Sequence, residues 1–236
     1  MIGMQVYRLA FCLCKSYDLP MIQAAVLTGD LIGSTEAGPE AADRAIQLLS
    51  DAANDFVALG KVSYPLKFTR YRGDGWQVAV HWAGLSYRLA TYMLARLRAS
   101  DLGIRTRIGI GIGSIDSWGS TDLGSAHGTA FINSGHALDS LGTSGGLAVS
   151  STKIDSSVWI SAALETLAYL SDRWSLEQAQ AISLWATHQM PFADGNATLL
   201  ELAQTLNISR QALSSRLAVA GEKPIMAAIR AAEATL

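Results

Sequence analysis

The chain is short of charge, cysteine and histidine, and each shortage closes a class of function. Only 16% of its 236 residues are charged, below the roughly 25% of an average globular protein, while 50% are hydrophobic, so a filled core is expected rather than disorder. A net charge of −2 and a sequence pI near 6.1 exclude a surface that binds nucleic acid or acidic membrane over its whole extent; any DNA contact must be local. The two cysteines, Cys12 and Cys14, have no second Cys or His pair at zinc-ligand spacing, and a reducing, cytoplasmic setting is the expectation. The apolar stretch Leu9 to Cys14 is too short for a membrane span or a signal peptide, so no membrane partner is expected. Four histidines, His81, His127, His136 and His188, are scattered along the chain, and no Ser-His-Asp set or Cys-His pair stands out. The run Arg107 to Gly113, RIGIGIG, lacks the Gly-x-Gly-x-x-Gly dinucleotide pattern: its glycines fall at every second position, which is strand spacing.

What is present is organised around Thr28-Gly-Asp-Leu-Ile-Gly-Ser-Thr35. This stretch follows an apolar run, Met21 to Leu27, that reads as a buried strand, and it sets Asp30 at the strand's mouth before Gly33 and two hydroxyl residues. An acid ending a strand is placed to hold a divalent cation, and free N–H groups at a loop and helix start are placed to take phosphate oxygens. The same residues also make a plain helix cap.

The length suits one domain of ordinary size and a small accessory one: an N-terminal extension at 1–20, a first domain at 21–153 and a helical connector and second domain at 154–236. After Pro39, the residues Ala42, Ala45, Ile46, Leu49, Ala53 and Phe56 recur at helical spacing up to Gly60. Val62 to Tyr71 reads as a strand, Asp74-Gly75 as a hairpin tip and Gln77 to Trp82 as the returning strand. A helix over Leu85 to Ala99 with Leu89, Tyr92, Met93 and Leu97 as its buried stripe leads to a strand from Ile104 to about Ile115. This order is the split β-α-β unit of ferredoxin-like palms, with an expected antiparallel sheet, helices on one face, and Asp30 and Asp74 meeting at one end. The Ile-Gly alternation gives that last strand one all-glycine face, for which close packing of a helix or partner chain is favoured over direct ligand contact. Trp118 to Ala130 reads as a long loop able to move, followed by a helix over Phe131 to Leu141, a short strand over Leu147 to Val149 and a connector helix over Asp155 to Leu170.

Two capping boxes, Ser175-x-x-Gln178 and Thr198-x-x-Glu201, open helices in the tail. A tight turn at Leu206 to Ser209 then separates two helices at helix-turn-helix spacing. Arg210, Gln211, Ser214 and Ser215 face outward on the second, and Arg216, Lys223 and Arg230 add local positive charge; these types touch bases and phosphates in DNA readers. The same helix pair also suits dimerisation or docking. The expected class is thus α+β, a palm domain followed by an all-α helix-turn-helix domain.

TGDLIGST, FTRYRGDGWQVAV, IRTRIGIGIGSI and GGLAVSS occur in the order and rough spacing of the class III nucleotidyl cyclase domain. With its C-terminal helix-turn-helix the chain resembles the SatD family of small bacterial proteins over about residues 22–220. The resemblance implies that Asp30 and Asp74 bind Mg²⁺ or Mn²⁺ with the backbone of Leu31. It also places Ile32, Gly33, Ser34, Thr35 and Gly73 near a nucleoside triphosphate, in a homodimer. Ile132 and His136 stand where cyclases carry an Asn and an Arg on the helix after the mobile loop, and sliding by one residue recovers Asn133 but leaves Ala137 for the Arg. His136 is then the candidate to carry positive charge near a phosphate. Arg70 and Ser125 stand at the base-selecting positions, where adenine-specific enzymes carry Lys and an acid. These departures imply a nucleotide-binding regulator coupled to DNA, with impaired catalysis. The competing expectations are a working cyclase with an altered base pocket and a fold relic that mediates protein contacts only.

Overall fold

A strand buried on both faces must pair along both edges, and Ala24–Ile32 (β1) does so at the centre of a five-stranded sheet. The computed structural model describes residues 23–60, 66–71, 73–143, 145–151, 157–188 and 197–236. The expected extension at 1–20, the strand start at Met21, residues 62–65, Arg72 and the connector-helix start at Asp155 lie outside the described residues. The other strands are Lys67–Tyr71 (β2), Gly75–Val80 (β3), Arg105–Gly113 (β4) and Leu147–Ser151 (β5), in the order β2-β3-β1-β4-β5. The helices are Ser34–Ala37 (α1), Pro39–Gly60 (α2), Ser86–Ala99 (α3), Thr129–Ser140 (α4), Ser157–Ser171 (α5), Leu176–His188 (α6), Leu199–Thr205 (α7), Arg210–Ala220 (α8) and Glu222–Thr235 (α9). The chain is mixed α+β, and no helix among the described residues is long and apolar enough to cross a membrane.

Two expectations about the sheet need correction. β1, β2, β3 and β4 are mutually antiparallel, but β5 pairs with β4 in parallel, because α4 carries the chain back across the sheet between them. Helices also cover both faces. On the first face, Ala25, Leu27, Leu31, Trp76, Val78, Val80, Ile108, Ile110 and Ile112 pack against α2 and α3. On the second, α4 lies on the glycines of β4, as close packing by a helix requires. A methyl group at Gly111 would overlap Ala130 O and Ser134 N, and one at Gly109 would overlap Leu138 N and Ser134 O. The ridge of side chains that normally holds a helix off a sheet is missing here, so the two backbones touch.

α3 is buried well beyond its apolar stripe. Ser86, Arg88 and Thr91 are as enclosed as Leu89 and Met93, because α6 and α9 close over the side of the helix that faces away from the sheet. A buried guanidinium needs a partner, and Arg88, 1% exposed, donates to Glu233 of α9 at 2.7 Å and to the Ala186 carbonyl of α6 at 3.2 Å. One cluster of buried side chains therefore runs from the sheet through α3 into the tail, reaching Leu202, Leu213, Leu217 and Ile229. Both tail capping boxes form: Thr198 and Glu201 exchange bonds at the start of α7, and Ser175 and Gln178 do so before α6.

Two substitutions test this packing. Gly111→Ala forces α4 off β4 and is expected to cost about 2 kcal/mol in a urea titration; an unchanged midpoint would mean that the helix approach is loose. Glu233→Ala leaves Arg88 buried without its carboxylate, with the Ala186 carbonyl still accepting from it, and is expected to cost about 3 kcal/mol, and a loss near zero would show that the Arg88 charge reaches water.

Candidate functional site

β-Sheet register decides which side chains share a surface, and here it builds one row across the second face. Asp30 lies opposite Gly75 on one side and Arg107 on the other, and Gly75 lies opposite Tyr71. Directly paired residues point to the same face, so Tyr71, Asp30 and Arg107 line up with the glycine between the first two. Asp74 adjoins Gly75 in the β2–β3 hairpin, where Gly73 takes a left-handed φ of 69° that its lack of a side chain allows. The two candidate acids are thus brought to the same end of the sheet. Each has a partner inside the chain.

Asp30 is held by Arg107, whose Nε and Nη2 donate to its two carboxylate oxygens, both at 2.6 Å. The pair is bidentate and three-quarters or more buried at its side chains, 25% exposed for Asp30 and 22% for Arg107. The Asp30 bond raises the Arg107 pKa further above its usual value, and the charges of Asp30, Asp139 and Asp74 add to that rise. On the other side, the chain turns at Gly33, φ 82°, and delivers Ser34, whose hydroxyl donates to Asp74 Oδ2 at 3.0 Å. The end of β1 is also braced through the sheet: Thr106 Oγ1 donates to the Asp30 carbonyl at 2.6 Å and accepts Trp76 Nε1 at 3.1 Å.

The remaining expected residues fall into place unevenly. The Leu31 side chain is buried in the first-face core, which leaves its backbone alone for any ligand. Ile32 and Gly33 are half-buried at the turn, and Thr35 is exposed on α1. Arg70 and Ser125 are not brought together. Arg70 donates to the Gly73 carbonyl at 2.8 Å and pairs with Asp43 of α2 at 2.8 Å, whereas its neighbour Thr69 points the other way and accepts Leu123 N at 2.9 Å from the loop that carries Ser125. Alternation along β2 puts the two base-selecting positions on opposite faces.

On α4, Ile132 is 59% exposed and His136 is exposed one turn on, while Asn133 is buried with its amide donating to the Ile112 carbonyl at 2.8 Å. Neither alignment therefore presents an Asn with an Arg four residues later. The loop before α4, expected to move, is stapled to the sheet. Lys67 Nζ donates to the carbonyls of Trp118, Gly119 and Ser120 at 3.0, 3.0 and 2.9 Å, Trp118 stacks on His81 at 3.7 Å, and Ser117 bridges His127. Burial lowers the His81 pKa.

In the tail, Arg210, Gln211, Ser214 and Ser215 are exposed on α8, which Ser209 caps by accepting Ala212 N at 3.1 Å. Arg216 departs from this set: it is half-buried and close enough to Glu177 of α6 to help lower that carboxyl's pKa, after the larger effect of the Ser175 hydroxyl.

Among the described residues, no group of three or more His, Cys, Asp or Glu side chains is clustered to hold a metal ion. Mg²⁺ is often held by one or two carboxylates with the other positions filled by water and phosphate, and Asp30 and Asp74 are the candidate acids at this end of the sheet. For Asp30 to serve so, Arg107, which holds both of its oxygens, would have to release it. The residue that decides the matter, Arg107, stands in the glycine run, where alternation puts it on the glycine face; its opposition to Asp30 depends on a register no local pattern encodes.

Compared with known proteins, the chain matches no family model and no curated sequence. Arg107→Met removes the guanidinium from Asp30, and Mn²⁺ is expected to bind the variant about tenfold more tightly than the wild type, or about 1.4 kcal/mol. Equal affinities by isothermal titration would show that Arg107 does not compete for that carboxylate.

Proposed function

We propose that this chain is a cytoplasmic regulatory protein of the SatD type. In this reading, residues 21–153 form a ferredoxin-like, cyclase-like palm that binds a nucleoside triphosphate with Mg²⁺ or Mn²⁺, and residues 154–236 bind DNA through a helix-turn-helix formed by α7 and α8. The observation that carries the reading is the strand order β2-β3-β1-β4 with Asp30 opposite the glycine that follows Asp74. This order supports the reading because in a split β-α-β unit the first strand and the central hairpin share one end of the sheet.

When bound there, a divalent cation supplies charge to hold the triphosphate and to acidify a ribose hydroxyl. The chain's own residues do the rest of the binding. Ser34 fixes Asp74, the Gly33 turn and the start of α1 face the phosphates, and Arg107 is the cation nearest to Asp30. Turnover needs preorganised donors where charge develops on the transferring phosphoryl group. Ile132 has none to offer, and His136 provides one imidazole at most. The reading is therefore of nucleotide binding with impaired cyclisation, by a homodimer if the cyclase likeness extends to assembly. On α8, Arg210, Gln211, Ser214 and Ser215 offer the contacts for DNA, with Arg216 half-buried on the same helix.

The deciding experiment is thermal-shift titration with each of the four ribonucleoside triphosphates and Mn²⁺, followed by product analysis. The expected result is concentration-dependent stabilisation, absent in Asp30→Asn, with no cyclic product. A cyclic product would make the chain a working cyclase, and no shift with any triphosphate would leave the palm as a scaffold. Binding to genomic DNA fragments is expected to weaken steeply with salt and on Arg210→Ala; salt-insensitive or absent binding removes the DNA half of the reading.

A further inference from the structure

A nucleotide carries a flat, apolar base at one end and a polyanion at the other, and the row across the second face is unlike at its two ends in the same sense. At one end Tyr71 is 50% exposed on the edge strand β2. At the other stands Arg107, bound to Asp30 and within the fields of Asp74 and Asp139, so that phosphates reach this end together with a divalent cation, and between Tyr71 and Asp30 the row passes over Gly75, which has no side chain. The stapled loop covers this face of β2 at Lys67 and Thr69 and leaves Tyr71, two residues further on, uncovered. From β2 to β4 the row crosses three strand spacings, about 14 Å, the length of an extended nucleoside triphosphate from base to terminal phosphate.

The geometry points to Tyr71 as the platform on which the base of a nucleoside polyphosphate stacks, with its phosphates directed along the row toward Asp30 and Arg107. This rests on the proposal that the second face takes a nucleotide, and it extends that proposal to the way the base is held. Stacking on an aromatic ring is tolerant of base identity because every base has a π face. It also accounts for a site whose base-selecting positions, Arg70 and Ser125, lie on opposite faces: affinity comes from the ring, and discrimination among bases is weak. Tyr71 thus acts as a binding residue and takes no part in chemistry.

The test compares ATP with inorganic tripolyphosphate, both with Mg²⁺, by isothermal titration to the full-length wild type, Tyr71→Ala and Tyr71→Phe. Tyr71→Ala is expected to weaken ATP binding about tenfold or more while leaving tripolyphosphate unchanged, and Tyr71→Phe to retain ATP binding because the ring remains. GTP and CTP are expected to bind the wild type within a few-fold of ATP. Wild type that binds ATP no better than Tyr71→Ala does, or a Tyr71→Ala variant that loses tripolyphosphate equally, overturns the stacking role alone. Wild type that binds neither ligand overturns the nucleotide reading and this inference with it.

Discussion

The contact on which the rest of the structure depends is the backbone-to-backbone approach of α4 to β4. It exists because Gly109, Gly111 and Gly113 present no side chain, so that Ala130, Ser134 and Leu138 can rest against the strand at successive turns. The geometry is commensurate: the helix from Ala130 to Leu138 rises about 12 Å, and the strand from Gly113 to Gly109 spans about 13 Å. A hydrogen-bond chain fixes the helix against sliding. Ser134 Oγ lies 2.7 Å from Thr28 Oγ1, which accepts Gln77 Nε2 at 3.1 Å, linking α4 to β1 and β3. The helix ends at Ser140, just past the last glycine.

That arrangement divides the sheet by chemistry. The first face is an apolar surface that buries α2 and α3, and through α3 it joins the tail, so the sheet and the C-terminal helices share one core rather than two. α6 touches α3 on one side and α8 on the other. Any signal from the sheet end to α8 has this packed route available, and it becomes a mechanism only if one of the elements has two arrangements that both ligands bias. The buried Arg88–Glu233 pair favours a single arrangement, since parting the two charges inside the core is costly.

What could be read from the residues alone divides along the same line between local and non-local. Strands, the Asp74-Gly75 hairpin, the capping boxes at Ser175 and Thr198 and the cap at Ser209 are encoded within a few residues of themselves, and they stand where local chemistry puts them. The helical spacing of Ile225, Met226 and Ile229 in α9 is equally local and was available to reading. Register, by contrast, is set by which strand lies beside which, so Arg107 opposite Asp30 and the separation of Arg70 from Ser125 had no local signal. Arg88 illustrates the same limit: a charged residue inside an amphipathic pattern reads as surface, and only the arrival of α6 and α9 makes it core. The loop before α4 reads as loose from its Gly, Ser and Thr content, yet one lysine on β2 gathers three of its carbonyls.

The pairing of Asp30 with Arg107 separates two properties that the presence of two acids tends to merge. Two acids at a sheet end attract a cation, but a guanidinium bound through two of its nitrogens, Nε and Nη2, to one of those acids already neutralises that carboxylate. With Asp74 and Asp139 also near Arg107, the acids outnumber the guanidinium here, and a metal and Arg107 would be rivals for the oxygens of Asp30. A phosphate that engaged Arg107 would weaken its hold on Asp30 and so favour entry of a divalent ion, while a metal arriving without phosphate would have to displace the guanidinium unaided. Under the proposed function, cation and polyphosphate would therefore bind with positive coupling, each easing the other's entry. Such coupling would serve recognition of an intact metal–nucleotide complex, and it does not by itself supply the charge stabilisation that phosphoryl transfer needs.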